Sequence, residues 1–238
     1  MINSLLVTIN QLLPLAVLVV FARCLCRSAP PKAHWPWLIA ALLVPTLIYI
    51  LSMQSISQWF DYLGFEYSQM ALMLLIGVSS VAGIARRHWE AFALLIASAL
   101  CLYASHYLPW LLQGDLDAAR GLGILLGVGI VTSFSVLLLF SLLWLEQRYG
   151  ILAVTVLFSM HIAGTMVAMV DIAAGAGLFT MPPSYIDLRI FLDEHSVMGR
   201  LAKVVLGYEA TPNLASSVVY VITLLGLLSA GKWQRGVR

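Results

Sequence analysis

Seven stretches of about 20 apolar residues, separated by short polar turns, constrain this chain more than any other feature. The hydrocarbon core of a bilayer is about 30 Å thick, which an α-helix crosses in about 20 residues. Spans are expected near Ser4 to Ala22, Pro36 to Met53, Tyr67 to Ala85, Ala91 to Leu112, Gly121 to Leu145, Gly150 to Val170 and Leu214 to Ala230. A backbone in hydrocarbon must satisfy its own polar groups, so such segments are helices. Of 238 residues, 61% are hydrophobic and 10% charged, whereas about a quarter of an average soluble domain is charged. That balance excludes a soluble globule and a disordered chain. Three cysteines cannot staple a chain of this length, and a net charge of +2 offers nothing for nucleic acid to bind. The expected fold is all-α, a single polytopic domain over residues 1–238 with the lipid bilayer as its first partner.

Cytoplasmic loops retain Lys and Arg, which sets orientation. Arg23, Arg27, Lys32, Arg86, Arg87, Arg148, Lys232, Arg235 and Arg238 fall on one side of the spans. Arg120, Arg189, Arg200 and Lys203 fall on the other, with most of the acidic residues, from Asp61 and Glu66 to Glu209. The amino terminus is predicted outside and the carboxyl terminus in the cytoplasm. No charged residue precedes the first span, which reads as a retained helix rather than a cleaved signal. Short loops suit a bacterial inner, or cytoplasmic, membrane. One connection is long, from about Ala173 to Asn213. After Pro182-Pro183 it interleaves Ile186, Ile190, Leu192, Val197, Leu201, Val204 and Val205 with charges, as an amphipathic helix does. Such a helix lies in the membrane interface or packs on the bundle, and the pattern fits both. Its Asp187, Asp193 and Glu194 would gather cations or dock a donor protein.

Transporters are often built from two halves of weak internal similarity. The first span reads Asn10-Gln11-Leu12-Leu13-Pro14 and the fourth Ser105-His106-Tyr107-Leu108-Pro109, both polar, polar, x, Leu, Pro. At 1.5 Å per residue, Gln11 and His106 both sit about 10 Å below the outer ends of their spans. A proline inside a helix frees the carbonyl four residues earlier. Pro14 would free that of Asn10, and Pro109 that of Ser105. Three helices per half is an odd number, so the halves, about 1–90 and 91–172, would be inverted repeats with a seventh helix, about 214–230, appended.

The sixth span carries Met160-His161-Ile162-Ala163-Gly164-Thr165-Met166-Val167-Ala168-Met169, then Asp171. An ionisable group inside a membrane is a functional candidate, because it must face the bundle interior or water. His161, Thr165 and Met169 drift only about 80° around the helix and share a face. Asp171 is about 15 Å further along and cannot meet His161 at one ion. Gly164, Ala163 and Ala168 would admit another helix closely. Imidazole with thioether favours copper or iron over magnesium or calcium. The plainer readings are an interhelical hydrogen bond for His161 and packing for the methionines. Cys24-Leu25-Cys26 would receive a metal on exit, Cys101 is a core residue, and Gly123, Gly127 and Gly129 form a helix-packing face. No span carries a Lys, which excludes a retinal Schiff base. No Ser-His-Asp set, metalloprotease motif or nucleotide loop is present, so no enzyme is expected.

The last third of the chain resembles the high-affinity iron permease family, the oxidase-dependent iron transporters. The resemblance rests on Ser196-Val197-Met198-Gly199-Arg200 followed by Leu206-Gly207-Tyr208-Glu209-Ala210-Thr211-Pro212. Family members carry a similar Ser-x-x-Gly and Phe-Gly-Tyr-x-x-x-Pro just before a seventh helix. The resemblance implies seven spans, an outside amino terminus, iron transport and an extracytoplasmic oxidase or metal donor. It also implies Arg-Glu-Gly-Leu-Glu on the first and fourth helices, and here the chain departs. Aligned on the repeat, the arginines fall on Asn10 and Ser105, the first glutamates on Gln11 and His106, and the second on Pro14 and Pro109. Every carboxylate is gone, and hard ferric iron prefers anionic oxygen.

The Met160-His161 segment also resembles the Met-His-Tyr-Thr membrane sensor domain, implying copper and gas sensing. The expected function is an iron-permease-like protein moving iron or another transition metal, ferrous or copper. Its path would run from Gln11, His106 and the Asn10 and Ser105 carbonyls, past Pro14 and Pro109, to the face of His161, Thr165, Met166 and Met169. The alternatives are that sensor or a non-transporting scaffold subunit of a membrane complex. Haem, with His106 and His161 as axial ligands, comes last.

Overall fold

Each apolar stretch forms a helix, and most run about a turn beyond their expected bounds. The computed structural model describes residues 1–26, 34–113, 117–183, 187–190, 192–193 and 196–236, without the side chains of Val197 and of 232–236. Its helices are α1 (Ile2–Leu25), α2 (Trp35–Ser57), α3 (Gly64–Arg86), α4 (Trp89–Leu112), α5 (Ala118–Tyr149), α6 (Ile151–Gly175), α7 (Val197–Leu206) and α8 (Leu214–Gly236). Seven of these are long and apolar enough to cross a membrane, and α7 is the short exception. Arg27, Lys32, Ile186, Glu194, His195 and Arg238 lie outside the described residues.

Local chemistry explains the boundaries. Only Gly150 separates α5 from α6, and its φ of +78° is a conformation that glycine adopts without strain. Asp117 Oδ1 accepts from Arg120 N at 2.7 Å to start α5, and Ser196 Oγ accepts from Gly199 N at 2.9 Å to start α7. Asn213 Oδ1 does the same for Ser216 N at 2.8 Å at the head of α8. Pro14, Pro45 and Pro109 lie inside α1, α2 and α4, which continue through them.

The helices pair as α1 with α5, α2 with α4, α3 with α4 and α6, and α6 with α8; α1 also touches α4 and α6. Glycines set the first of these contacts. A Cβ at Gly123 would collide with Ser4 Oγ and the Met1 carbonyl, and one at Gly127 with the Thr8 side chain. Gly129, expected on the same face, meets nothing. Away from α7, the half of the bundle built from the second half of α1 and the first half of α6 is closely packed. Val17, Phe21, Val154 and Phe158 are fully buried there, with Ile76 of α3 and Leu95 of α4, and the Phe21 and Phe158 rings lie 5.8 Å apart.

Of the two arrangements open for the long connection, α7 takes contact with the bundle. Leu201 and Val204 pack against the core. Where α7 ends, Gly207 turns into the left-handed region at φ +66° and its backbone presses on Gly164 of α6. A Cβ on either glycine would run into the backbone of the other. Gly207→Ala therefore adds a left-handed penalty of about 1–2 kcal/mol to a steric clash. Thermal unfolding in detergent should show a clear fall in midpoint for Gly207→Ala. Gly129→Ala, whose Cβ meets open space in a helix, should match the parent chain or exceed it.

Candidate functional site

A cavity of about 350 Å³ lies between α1, α3, α4, α6 and the end of α7. Asn10 and Pro14 line it from α1, Met73 from α3 and Tyr103 from α4. On α6 the lining recurs at helical spacing through His161, Gly164, Thr165, Ala168 and Asp171. Lys203, Val204 and the turn Gly207-Tyr208-Glu209 close the remaining side. His161 and Asp171 are separated by about 15 Å along the helix, so they mark the two ends of one space. Over the whole lining, the carboxylates of Asp171 and Glu209 and the ammonium of Lys203 leave one formal negative charge, which favours cations.

At the deep end, His161 is 5% exposed. Its Nδ1 lies 2.6 Å from the Val204 carbonyl oxygen. A carbonyl can only accept, so Nδ1 carries a proton, and in the neutral imidazole Nε2 keeps its lone pair. That Nε2 is buried and has no hydrogen-bond partner among the described residues. The Phe21 ring, at 5.9 Å between centroids, supports the imidazole from the closely packed half of the bundle. A histidine fixed through one nitrogen by a backbone carbonyl, with the other nitrogen open, is how proteins present imidazole to a metal.

The cavity gathers Asn10, Pro14, His161 and Thr165 from the expected path and leaves the others outside its lining. Gln11 is half-buried on α1. His106 faces α3, where Gln69 Nε2 donates to its Nε2 at 2.8 Å and Phe65 meets its ring edge-on. Ser105 is buried, its Oγ donating to the Leu102 carbonyl at 2.7 Å. Pro109 lies in the last turn of α4, where its carbonyl accepts from Gln113 N. Met166 is buried with its sulfur against Gly77 of α3, and Met169 packs on the core. Asp187 is exposed and 3.9 Å from the Arg189 Nε; Asp193 is exposed, and Glu194 is outside the described residues. Cys24 and Cys26 are half-buried thiols outside any disulfide at the far end of α1, and Cys101 is buried.

Among the described residues, no three His, Cys, Asp or Glu side chains come together to hold a metal. The site therefore offers one strong nitrogen donor with amide and hydroxyl oxygen nearby, not a cage. Sequence reading missed Met73, Tyr103 and Gln69, which stand alone on α3 and α4 with no polar spacing to mark them. It also missed the Val204 carbonyl, which no side-chain pattern reveals. Comparison with family models, with curated proteins and with solved structures finds no match to this chain.

The wall facing α6 is itself held in place by Tyr208, whose hydroxyl lies 2.9 Å from the Leu192 carbonyl and 3.2 Å from that of Leu188. Removing that donor with Tyr208→Phe should weaken the wall by about 1 kcal/mol. Hydrogen exchange should then speed up several-fold at the Leu192 and Ser196 amides and stay unchanged in α3.

Proposed function

We propose that this chain is an iron-permease-like carrier that moves a transition-metal cation, iron or copper, across a bacterial cytoplasmic membrane, with His161 the innermost ligand on its path. One observation carries the reading: a buried imidazole nitrogen, oriented and without a partner among the described residues, at the deep end of a cavity edged by polar side chains. Leaving such an acceptor unsatisfied costs about 1–3 kcal/mol, an expense a fold retains where a ligand takes the position. A transit site must also release what it binds, so one imidazole with weaker oxygen donors suits passage better than a closed set of ligands. Imidazole selects copper or ferrous iron over the hard alkaline-earth ions.

The packing supports an inverted repeat. Exchanging α1, α2 and α3 with α4, α5 and α6 turns the α1–α5 pair into α4–α2, α2–α3 into α5–α6 and α3–α4 into α6–α1, and all of these pairs are in contact. The α1–α4 and α3–α6 contacts map onto themselves, as pairs on a symmetry axis do. The Ser196 to Pro212 segment, which carries the resemblance to iron permeases, supplies α7 and the turn that walls the cavity. With the amino terminus outside, the cavity faces an extracytoplasmic metal donor or oxidase, with Asp187 and Asp193 on the docking side.

Metal content of the detergent-purified chain, after incubation with ferrous, ferric or cuprous ions, tests this against uptake into proteoliposomes. The parent chain should hold about one ion, and His161→Gln should lower retention and uptake at least tenfold with an unchanged unfolding midpoint. Gln11→Leu combined with His106→Leu should keep most uptake. The reverse pattern would move the path to the α1–α4 contact. A parent chain that neither holds nor moves metal would overturn transport in favour of a scaffold subunit.

A further inference from the structure

The turn Gly207-Tyr208-Glu209 has a second side. Behind it lies another cavity, of about 370 Å³, between α6 and the start of α8. Met160, Val167, Leu206, Pro212 and Val221 make its walls, and its surface is almost all carbon. Around it the outer face of α8 is apolar and exposed through Leu214, Val218, Val221 and Ile222, the surface a spanning helix turns to lipid. Four hydroxyl-bearing residues line the cavity, Tyr208, Ser216, Ser217 and Tyr220. The hydroxyl of Tyr220 is occupied, donating to the Leu206 carbonyl at 2.8 Å. That of Ser216 is not: the residue is 1% exposed and its Oγ has no partner among the described residues.

Ser216 stands in the first turn of α8, where the residue four back is Pro212, outside the helix. The usual bond of a helical serine to the carbonyl four residues earlier is therefore not made. Ser217, Tyr208 and Glu209 also border the space, whose surface is otherwise nearly all carbon. What fits is a molecule that is mostly hydrocarbon and carries a carbonyl acceptor. The bilayer supplies such a molecule at every turn of the helix.

We propose that this cavity seats one acyl chain of a membrane glycerophospholipid, whose ester carbonyl accepts the hydrogen bond that Ser216 Oγ has to give. The volume lies within the range of small-molecule sites, which begins at about 300 Å³. Because the lipid and the polar cavity share the Gly207-Tyr208-Glu209 wall, a seated chain also braces that wall from behind. The assignment is independent of what the polar cavity carries.

The full chain, delipidated and then exposed to a diester phosphatidylglycerol or to its diether analogue, which lacks the carbonyls, provides the test. Native mass spectrometry should find one tightly held diester lipid per chain and about fivefold less diether, the difference of one hydrogen bond. Ser216→Ala should erase that preference without lowering the unfolding midpoint, and Val221→Trp, which fills the slot, should lower retention of both lipids. Equal retention of the two lipids by the parent chain would overturn the proposal. So would a preference unchanged in Ser216→Ala, or a second copy of the chain held at this face in place of lipid.

Discussion

The backbone contact between Gly164 and Gly207 places everything that distinguishes this bundle from a plain set of spans. With no side chain on either residue, the end of α7 comes down onto α6, and this brings the Val204 carbonyl within reach of His161. The same approach puts Lys203, Tyr208 and Glu209 on the wall of the polar cavity. Moving α7 outward by the width of a methyl group would carry the Val204 carbonyl beyond hydrogen-bond reach of the imidazole. A short helix and two glycines thus separate a cavity edged by polar side chains from one whose surface is almost all carbon.

The architecture was legible because a bilayer demands so much of a sequence. All seven spans were found from hydropathy alone, and the small-residue faces at Gly123, Gly127 and Gly164 pointed to close helix contacts that the structure contains. Gly129 shows the limit of that inference, since a glycine spaced like its neighbours faces open space. The candidate site was legible only in part. His161 stood out as an ionisable group in an apolar run, and Thr165 followed from helical spacing. Met169, at the same spacing, packs on the core instead, because the cavity face turns through Gly164, Ala168 and Asp171. The partners that give His161 its geometry come from α7 and α1, and no pattern along a single helix encodes a contact between helices.

The two polar-Leu-Pro segments illustrate the same point. Close to them, Thr8 Oγ1 of α1 and Tyr107 OH of α4 lie 3.2 Å apart. Yet the residues within each segment divide their roles. Asn10 and Pro14 face the cavity, whereas His106 turns to Gln69 on α3. Matching sequence positions do not impose matching environments when the helices around them differ.

The closely packed layer next to His161 has an electrical consequence for the proposed carrier. Water filling the cavity would bring the conductivity of the solution part of the way through a membrane, and the fully buried Phe21 and Phe158 would stop it there. In an energised membrane the voltage would then fall mostly across those few side chains rather than across the whole bilayer thickness. A charge resting at His161 would stand at the edge of that drop, and crossing it would be worth about 2.3 kcal/mol per elementary charge per 100 mV. Two phenylalanine rings and the aliphatic residues around them would thereby act as the dielectric of a capacitor that has the filled cavity as one plate.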